Sequence, residues 1–224
     1  MQFLFHKDAK NQEITLEGEA FSHIYHSRRT DKTKPLKLRN LKDDMLYTYH
    51  LISIGRKSAT LSLQDSIFLP KKPLSFSHII WAITDVKTIE KTLPFLNELG
   101  LGKLSLFYAA LSQHNQNPNI QRCEKILIAS SQQCGRSNVL EIEILSNLSE
   151  VLHLYPNIAR LDFEGEAFES VSSLDSVLVI GPEGGFSKEE RTLIQTAYTL
   201  PIPFILKSQT AIITALAMGI NRNQ

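Results

Sequence analysis

Apolar residues after residue 73 recur with two different periods, one typical of strands and one of helices. Leu140, Ile142 and Ile144 alternate with Glu141 and Glu143, which is the pattern of a strand with one buried face. Strands that alternate with helices are typical of an α/β fold with a parallel sheet covered by helices. The pattern predicts strands at Phe76–Ala82, Leu104–Ala109, Val139–Leu145, Val177–Ile180 and Phe204–Leu206, and helices at Asp85–Leu99, Ile120–Gln133, Lys188–Tyr198 and Thr210–Asn221.

The first third of the chain has a different pattern, in which short runs mix β-branched, aromatic and leucine residues. Met45–Ile54 and Ala59–Leu63 are predicted strands of a small β domain. The segment Leu69–Pro73 contains two prolines and two lysines, which neither a helix nor a central strand accommodates. The sequence therefore predicts a small β domain at residues 1–73 and an α/β domain at residues 74–224.

The charge balance adds a candidate nucleic-acid surface. The chain has 24 Lys and Arg and 23 Asp and Glu, a net charge of +1, which argues against a uniformly basic DNA-coating protein. Residues 1–73 nevertheless hold 13 of the basic residues and only 8 of the acidic ones. Their basic run is suited to a solvated surface or to an RNA-phosphate patch, and composition leaves both open. The residues assigned to the patch are Arg28, Arg29, Lys32, Lys34, Lys37 and Arg39.

The cysteines and the ends of the chain argue against a disulfide-bonded, metal-binding or membrane protein. Cys123 and Cys134 flank a pattern that predicts a helix, and eleven residues of helix would separate them by about 16 Å, so we expect no disulfide. Since no histidine cluster accompanies them at ligand spacing, we also expect no metal site. The N-terminus lacks a signal-peptide pattern, and the apolar run Ala211–Ile220 is too short to span a bilayer. We therefore expect a cytoplasmic protein that does not bind membranes.

The segment after Val177–Ile180 carries the clearest sign of chemistry. This apolar strand leads into the glycine-rich loop Gly181–Phe186, and Ser187 with Glu190 forms a capping box that begins a helix. Ligands of α/β sheets collect at the carboxyl ends of strands, where glycines let the backbone approach them. A tight turn with a helix cap is the alternative, but it leaves the acidic Glu183 between the glycines unexplained. Neither phosphate-binding glycine motif is present, so ATP and NAD have no support.

Ile180–Phe186, with the sequence IGPEGGF, resembles the cofactor loop of the ribosomal RNA small subunit methyltransferase E family. That family belongs to the SPOUT superfamily of trefoil-knotted methyltransferases. Three further stretches, Glu98–Leu101, Gln133–Arg136 and Ile205–Ala211, are similar to motifs of the family in the same order and spacing. The resemblance covers nearly the whole chain, and the glycine loop is its most specific part.

The resemblance implies a fold and a reaction. Residues 1–73 would form a PUA-like β-barrel that binds RNA, and residues 74–224 a SPOUT α/β domain with a C-terminal trefoil knot. The protein would be a homodimer with its active sites at the subunit interface. It would use S-adenosylmethionine to methylate ring nitrogen-3 of one uridine in 16S ribosomal RNA of the small subunit.

The resemblance also implies site residues. Arg136 and Lys207 would be cations that stabilise the anion formed when uridine nitrogen-3 loses its proton. Glu183 would order the loop by accepting backbone N–H groups, or would act as the base. The implied cofactor residues are Phe163, Glu164, Gly165, Ile180, Gly181, Pro182, Glu183, Gly184, Gly185, Leu200, Ile202, Ile205, Leu206 and Ser208.

The sequence departs from the family pattern at five positions, one of which is Phe95, where the family has a lysine. Lys207, Ser208 and Gln209 replace an arginine, a threonine and a glutamate, and Ile202 replaces a loop glycine. A lysine keeps the charge of arginine but not its planar fork of donors. Two alternatives therefore stay open: a knotted methyltransferase that acts on another RNA, and a ribosome-associated RNA-binding protein without catalysis.

Overall fold

The computed structural model describes residues 2–73, 76–168 and 176–220. These residues form two compact units. The first unit comprises residues 2–72 together with Ser131–Val139, and the second comprises the remaining described residues. Ser131–Val139 begins in the last turn of a long helix. No pattern in the sequence predicts that this segment belongs to the same unit as the N-terminal third.

The first unit is built on a five-stranded sheet with the strand order β1-β3-β4-β5-β2. The pairing of β1 with β3 is parallel, and the other pairings are antiparallel. Leu16, Ile24, Leu38, Tyr49 and Leu61 form the centre of its core, each 1% exposed or less. The strands are β1 (Leu4–Phe5), β2 (Glu13–Glu17), β3 (Leu36–Arg39), β4 (Met45–Ile54) and β5 (Ser58–Phe68), and a short helix α1 (Gly18–Phe21) leads into a π-helix (Ser22–Ser27).

Arg39, assigned to the RNA patch from the sequence, is a structural residue instead. Its side chain is buried, and its guanidinium donates to the backbone oxygens of Asp44 at 3.1 Å and Leu69 at 2.8 Å. Burial lowers the pKa of Arg39, while the nearby Asp44 opposes that shift. The prediction that Arg39 binds RNA is therefore wrong, because its donors hold the ends of β4 and β5.

The second unit contains a six-stranded sheet with the order β11-β9-β10-β6-β7-β8, in which every pairing is parallel. The predicted α/β fold with a parallel sheet is thus confirmed. The central strand β6 is fully buried from its second residue onward, as expected for a parallel sheet. The strands are β6 (His78–Ala82), β7 (Lys103–Phe107), β8 (Glu141–Leu145), β9 (Ile158–Ala167), β10 (Val177–Ile180) and β11 (Ala197–Thr199), and the helices are α2 (Val86–Glu98), α3 (Ile120–Cys134), α4 (Leu148–Leu154), α5 (Lys188–Leu193) and α6 (Ser208–Ile220).

The last third of the chain departs from the predicted elements. The helix predicted to reach Tyr198 ends at Leu193, because Arg160 donates to the terminal carbonyls of α5, including that of Ile194. The residues that follow form β11 on the edge of β9. The strand predicted at Phe204–Leu206 is absent, and the side chains of Phe204 and Ile205 are exposed. The final helix begins at Ser208, and its predicted end at Asn221 lies outside the described residues.

Polar side chains cluster where β6 begins. His78 Nε2 lies 2.7 Å from Ser105 Oγ, which donates to Glu143 Oε1 at 2.5 Å. Lys103 pairs with Glu143 at 3.1 Å, and Tyr155 donates to the same carboxylate at 2.7 Å. Burial and the charge of Lys103 lower the pKa of His78 to about 4, which the opposing Glu143 charge only partly offsets.

This low pKa predicts a loss of stability in mild acid. Between pH 6.5 and 4 the unfolded chain binds a proton at His78 that the folded chain does not, so the free energy of unfolding falls as pH falls. This decrease in the free energy of unfolding is on the order of 1 kcal/mol after solvent screening. In a plot of the urea unfolding midpoint against pH, His78→Gln should reduce the slope over this interval. The control substitution at the exposed His153, His153→Gln, should leave the slope unchanged. Equal slopes for wild type and His78→Gln would contradict the assignment.

Candidate functional site

A cavity of about 340 Å³ opens in the second unit where β10 ends. Three segments form it: the middle of β9, the loop between β10 and α5, and the connection from β11 to α6. The volume lies within the range of small-molecule sites. The lining residues are Leu161, Asp162, Phe163, Ile180, Gly181, Pro182, Glu183, Gly184, Gly185, Phe186, Arg191, Thr199, Leu200, Ile202, Phe204, Ile205, Leu206, Lys207, Ser208 and Ala211.

The loop after β10 is held by its own backbone and by the helix that follows. Gly185 N donates to Pro182 O at 2.9 Å, and Gly185 has a φ of +70°, a conformation that favours glycine. The predicted capping box is present, since Glu190 Oε2 accepts from Ser187 N at 2.8 Å and Ser187 Oγ accepts from Glu190 N at 3.2 Å. The loop is therefore ordered without any contribution from the Glu183 side chain.

Ser208 fixes the third segment to the first two. Its hydroxyl donates to Gly181 O at 2.5 Å and accepts from Trp81 Nε1 at 2.7 Å. Trp81 is fully buried on β6, and Ser208 is 6% exposed at the start of α6. One hydroxyl thus joins β6, the loop after β10 and the N-terminus of α6.

A charge network around the buried carboxylate of Asp162 forms another wall. The Asp162 side chain, only 3% exposed, accepts from Arg160 Nε at 3.0 Å and pairs with Arg191 Nη2 at 3.2 Å. Arg191 also donates through Nε to Phe186 O at 3.2 Å, so its guanidinium is fixed at the cavity. Sequence reasoning missed Asp162 and Arg191. The available signal was the position of Arg191 four residues after Ser187, on the same side of α5 as the loop.

Twelve of the fourteen residues assigned to the cofactor from the sequence line this cavity. The exceptions are Glu164 and Gly165, which lie further along β9. A Cβ on Gly165 would lie 2.4 Å from Ala197 O, so this glycine permits the close approach of β11. Gly165 therefore has a packing role, and its assignment to the cofactor stays a prediction.

The three predicted catalytic residues are placed differently. Lys207 and Glu183 are exposed and line the cavity. Glu183 has no hydrogen bond or ion pair with any described residue, so the structure gives no support to the loop-ordering role, and the role as base stays a prediction. Arg136 belongs to the first unit and is 6% exposed, with Nε donating to Asn138 Oδ1 at 2.9 Å. Burial lowers the pKa of Arg136 to about 10, which still leaves it charged at neutral pH.

The remaining members of the predicted RNA patch lie on the surface of the first unit. Arg28, Arg29, Lys32 and Lys34 are exposed in the segment after the π-helix. Lys37 is exposed on β3, and its Nζ donates to Thr48 Oγ1 at 2.7 Å. The surface therefore retains five of the six assigned cations.

Both cysteines are free thiols, with Cys123 buried and Cys134 exposed. Among residues 2–73, 76–168 and 176–220, no three His, Cys, Asp or Glu side chains are grouped so that they could hold a metal ion. Within the same ranges, no helix combines the length and apolar character needed to cross a membrane.

Comparison with known proteins gives first the class and then the family. Residues 70–219 match the model of the RNA methyltransferase domain. Relatives over the whole chain include ribosomal RNA small subunit methyltransferase E of Helicobacter pylori, 44% identical over 216 residues that cover 94% of this chain and 96% of the relative. The enzyme of the same name from Rickettsia conorii is 26% identical and covers 93% of this chain and 90% of its own length. The chain belongs to the ribosomal RNA small subunit methyltransferase E family.

Solved structures share the fold across both units. Ribosomal RNA small subunit methyltransferase E of Neisseria gonorrhoeae, bound to S-adenosyl methionine, has a TM-score of 0.81 at 17% identity and covers 97% of this chain and 95% of its own. A methyltransferase of Legionella pneumophila, solved with the bound cofactor SAM, has a TM-score of 0.78 at 22% identity and covers 92% of this chain and 90% of its own.

The Ser208 contacts predict a local stability effect. Ser208→Ala leaves the buried Trp81 N–H without a partner and should lower the free energy of unfolding by about 1–3 kcal/mol. Ser208→Thr keeps the hydroxyl and should lose less than half of that. Trp81 is the single tryptophan, so urea unfolding followed by its fluorescence reports on the site. Equal midpoints for Ser208→Ala and wild type would show that the hydroxyl does not stabilise this junction.

Proposed function

We propose that this protein is an S-adenosylmethionine-dependent methyltransferase that modifies ring nitrogen-3 of one uridine in 16S ribosomal RNA of the small subunit. The observation that carries the proposal is the cavity formed by Gly181–Gly185 and the segment ending at Ser208. Twelve residues that the family resemblance assigns to the cofactor lie around it. The 44% identity to a ribosomal RNA small subunit methyltransferase E supports the substrate class.

The residues present suit this cofactor. The exposed apolar side chains of Phe163, Phe204 and Ile205 border the cavity and offer contact area to an adenine ring. The guanidinium of Arg191, fixed by Asp162, is suited to bind the carboxylate of the donor's methionine portion. When bound, S-adenosylmethionine supplies a methyl group on a sulfonium, which transfers by in-line displacement.

The protein's own residues then have two tasks besides alignment. Uridine nitrogen-3 carries a proton and becomes nucleophilic only when that proton leaves. Glu183 is exposed at the cavity and has no partner among the described residues, so its carboxylate is available to accept the proton. Lys207, also exposed at the cavity, stabilises the anion that remains.

The first unit is proposed to be the PUA-like barrel that binds ribosomal RNA. Its exposed cations, Arg28, Arg29, Lys32 and Lys34, can neutralise phosphates without reading sequence. These phosphate contacts bind the RNA to the protein, whereas selectivity for the uridine depends on contacts at the cavity.

The trefoil knot and the homodimer are proposed on separate grounds. The chain leaves the sheet at β11, on the far side of β9, and returns to Ser208, which is bonded to Gly181 and Trp81. Such a return across the ends of β9 and β10 favours a knotted C-terminus. The residues of α6 after Thr210 are apolar except for Thr214, and such a helix favours burial against a second subunit. In the homodimer, Arg136 would serve the partner's active site.

Substitution of Glu183 separates the chemical step from donor binding. Glu183→Gln should lower kcat on small subunits lacking the methyl group by about 10²–10⁴-fold, because the proton acceptor is lost. Its affinity for S-adenosylmethionine by calorimetry should stay within about twofold, since the amide keeps the shape of the carboxylate. Lys188→Ala, an exposed residue outside the cavity, is the matched control.

Mass mapping of the 16S RNA from these reactions locates the methyl group. Methylation of a single uridine at ring nitrogen-3 is expected. A methyl group on a ribose oxygen, or no transfer by protein that binds the donor, would contradict the proposal. Wild-type kcat for Glu183→Gln would exclude it as the base.

A further inference from the structure

The connection between β7 and α3, residues 108–119, is a fixed loop rather than a loose one. The Tyr108 hydroxyl shares its single proton between Gln116 O at 2.8 Å and Asn117 Oδ1 at 3.0 Å. Gln116 also accepts through Oε1 from Val86 N at 3.0 Å, which ties the loop to the start of α2. These contacts close the loop and leave its tip facing solvent, with Gln113, His114 and Asn115 exposed.

Two rings stack at this tip. The imidazole of His114 stacks against the phenol of Tyr108 in an offset arrangement, with 5.7 Å between ring centroids and 12° between ring planes. Because Tyr108 is held by its hydroxyl, it fixes the orientation of the exposed His114 ring above it. The imidazole face opposite Tyr108 is therefore a flat aromatic surface that requires no rearrangement to accept another ring.

The loop also contacts the wall of the candidate site. Ala110 N donates to Glu190 Oε1 at 2.8 Å, and Glu190 is the capping residue of α5. A Cβ on Gly184 would lie 3.2 Å from Leu111 Cβ, so Leu111 packs directly on the glycine loop. His114 is three residues from Leu111, so its Cα lies within about 11 Å of the Cα of the residue that packs on the glycine loop.

We propose that His114, backed by Tyr108, is a platform on which a nucleobase of the RNA substrate stacks beside the donor cavity. Gln113 and Asn115, one on each side, supply amide donors and acceptors for a base edge. Single-stranded RNA is recognised in this way, by stacking on aromatic rings combined with hydrogen bonds to base edges. Residues 108–119 contain no acidic residue to repel phosphates and no Lys or Arg to bind them, so the chemistry favours a base over the backbone. The proposal rests on the proposed function, because it assigns part of the substrate recognition at that site.

The test compares His114→Ala with His114→Phe, which keeps a flat ring and removes the imidazole nitrogens. His114→Ala should raise KM for small subunits lacking the methyl group by about five- to hundredfold, the range for one stacked base, with kcat changed by less than about threefold. His114→Phe should restore KM to within about threefold of wild type. His153→Ala, an exposed histidine on α4 of the same unit, is the control. Affinity for 16S RNA without the donor, measured by filter binding, should follow the same order.

The outcomes separate this proposal from the proposed function. Equal RNA affinity for His114→Ala and wild type would overturn the platform, whether or not the wild type methylates RNA. Loss of affinity by His114→Phe as large as that of His114→Ala would also overturn it, since the contact would then depend on the imidazole nitrogens. Failure of the wild type to bind S-adenosylmethionine would refute the proposed function alone, because the RNA-binding comparison needs no donor.

Discussion

The site depends on one buried hydroxyl. Ser208 Oγ sits between the carbonyl of Gly181 and the indole of Trp81, so a single side chain joins the first residue of α6, the loop after β10 and the central strand β6. A buried N–H without an acceptor lowers the free energy of unfolding. The hydrogen bonds of Ser208 to Gly181 and Trp81 therefore form together, only when all three segments are in place. The cavity exists because the connection to α6 is held against the glycine loop.

Around this junction, the strands of the parallel sheet are buried and rigid, whereas the residues of its loops are exposed. Trp81 and the other residues of β6 after His78 are fully buried, and the Asp162–Arg191 pair is fixed by further hydrogen bonds. Glu183 and Lys207 instead project from the loops at the carboxyl end of the sheet, where they are exposed. This arrangement is typical of α/β enzymes, in which a stable sheet positions loop residues for chemistry.

Local signals made the sheet and the glycine loop predictable from the sequence. Val177–Ile180 is apolar throughout, and the Ser187–Glu190 capping box begins α5 as expected, because both depend on residues near in sequence. Features that depend on distant residues were not predictable. Arg160 ends α5 early through contacts made from β9, and Arg39 is buried by carbonyls that the charge pattern does not reveal. Arg191 had a local signal in its position four residues after Ser187, but its partner Asp162, which fixes its guanidinium, lies 29 residues earlier in the chain.

A crystal structure with S-adenosylmethionine would show directly whether the cavity after β10 binds the methyl donor. We expect the adenosine portion between Gly181–Gly185 and the segment that ends at Ser208, with the carboxylate of the methionine portion at Arg191 and the methyl group facing the opening lined by Glu183 and Lys207. Donor density at another place, or a cavity closed by protein side chains while the donor is bound elsewhere, would contradict it.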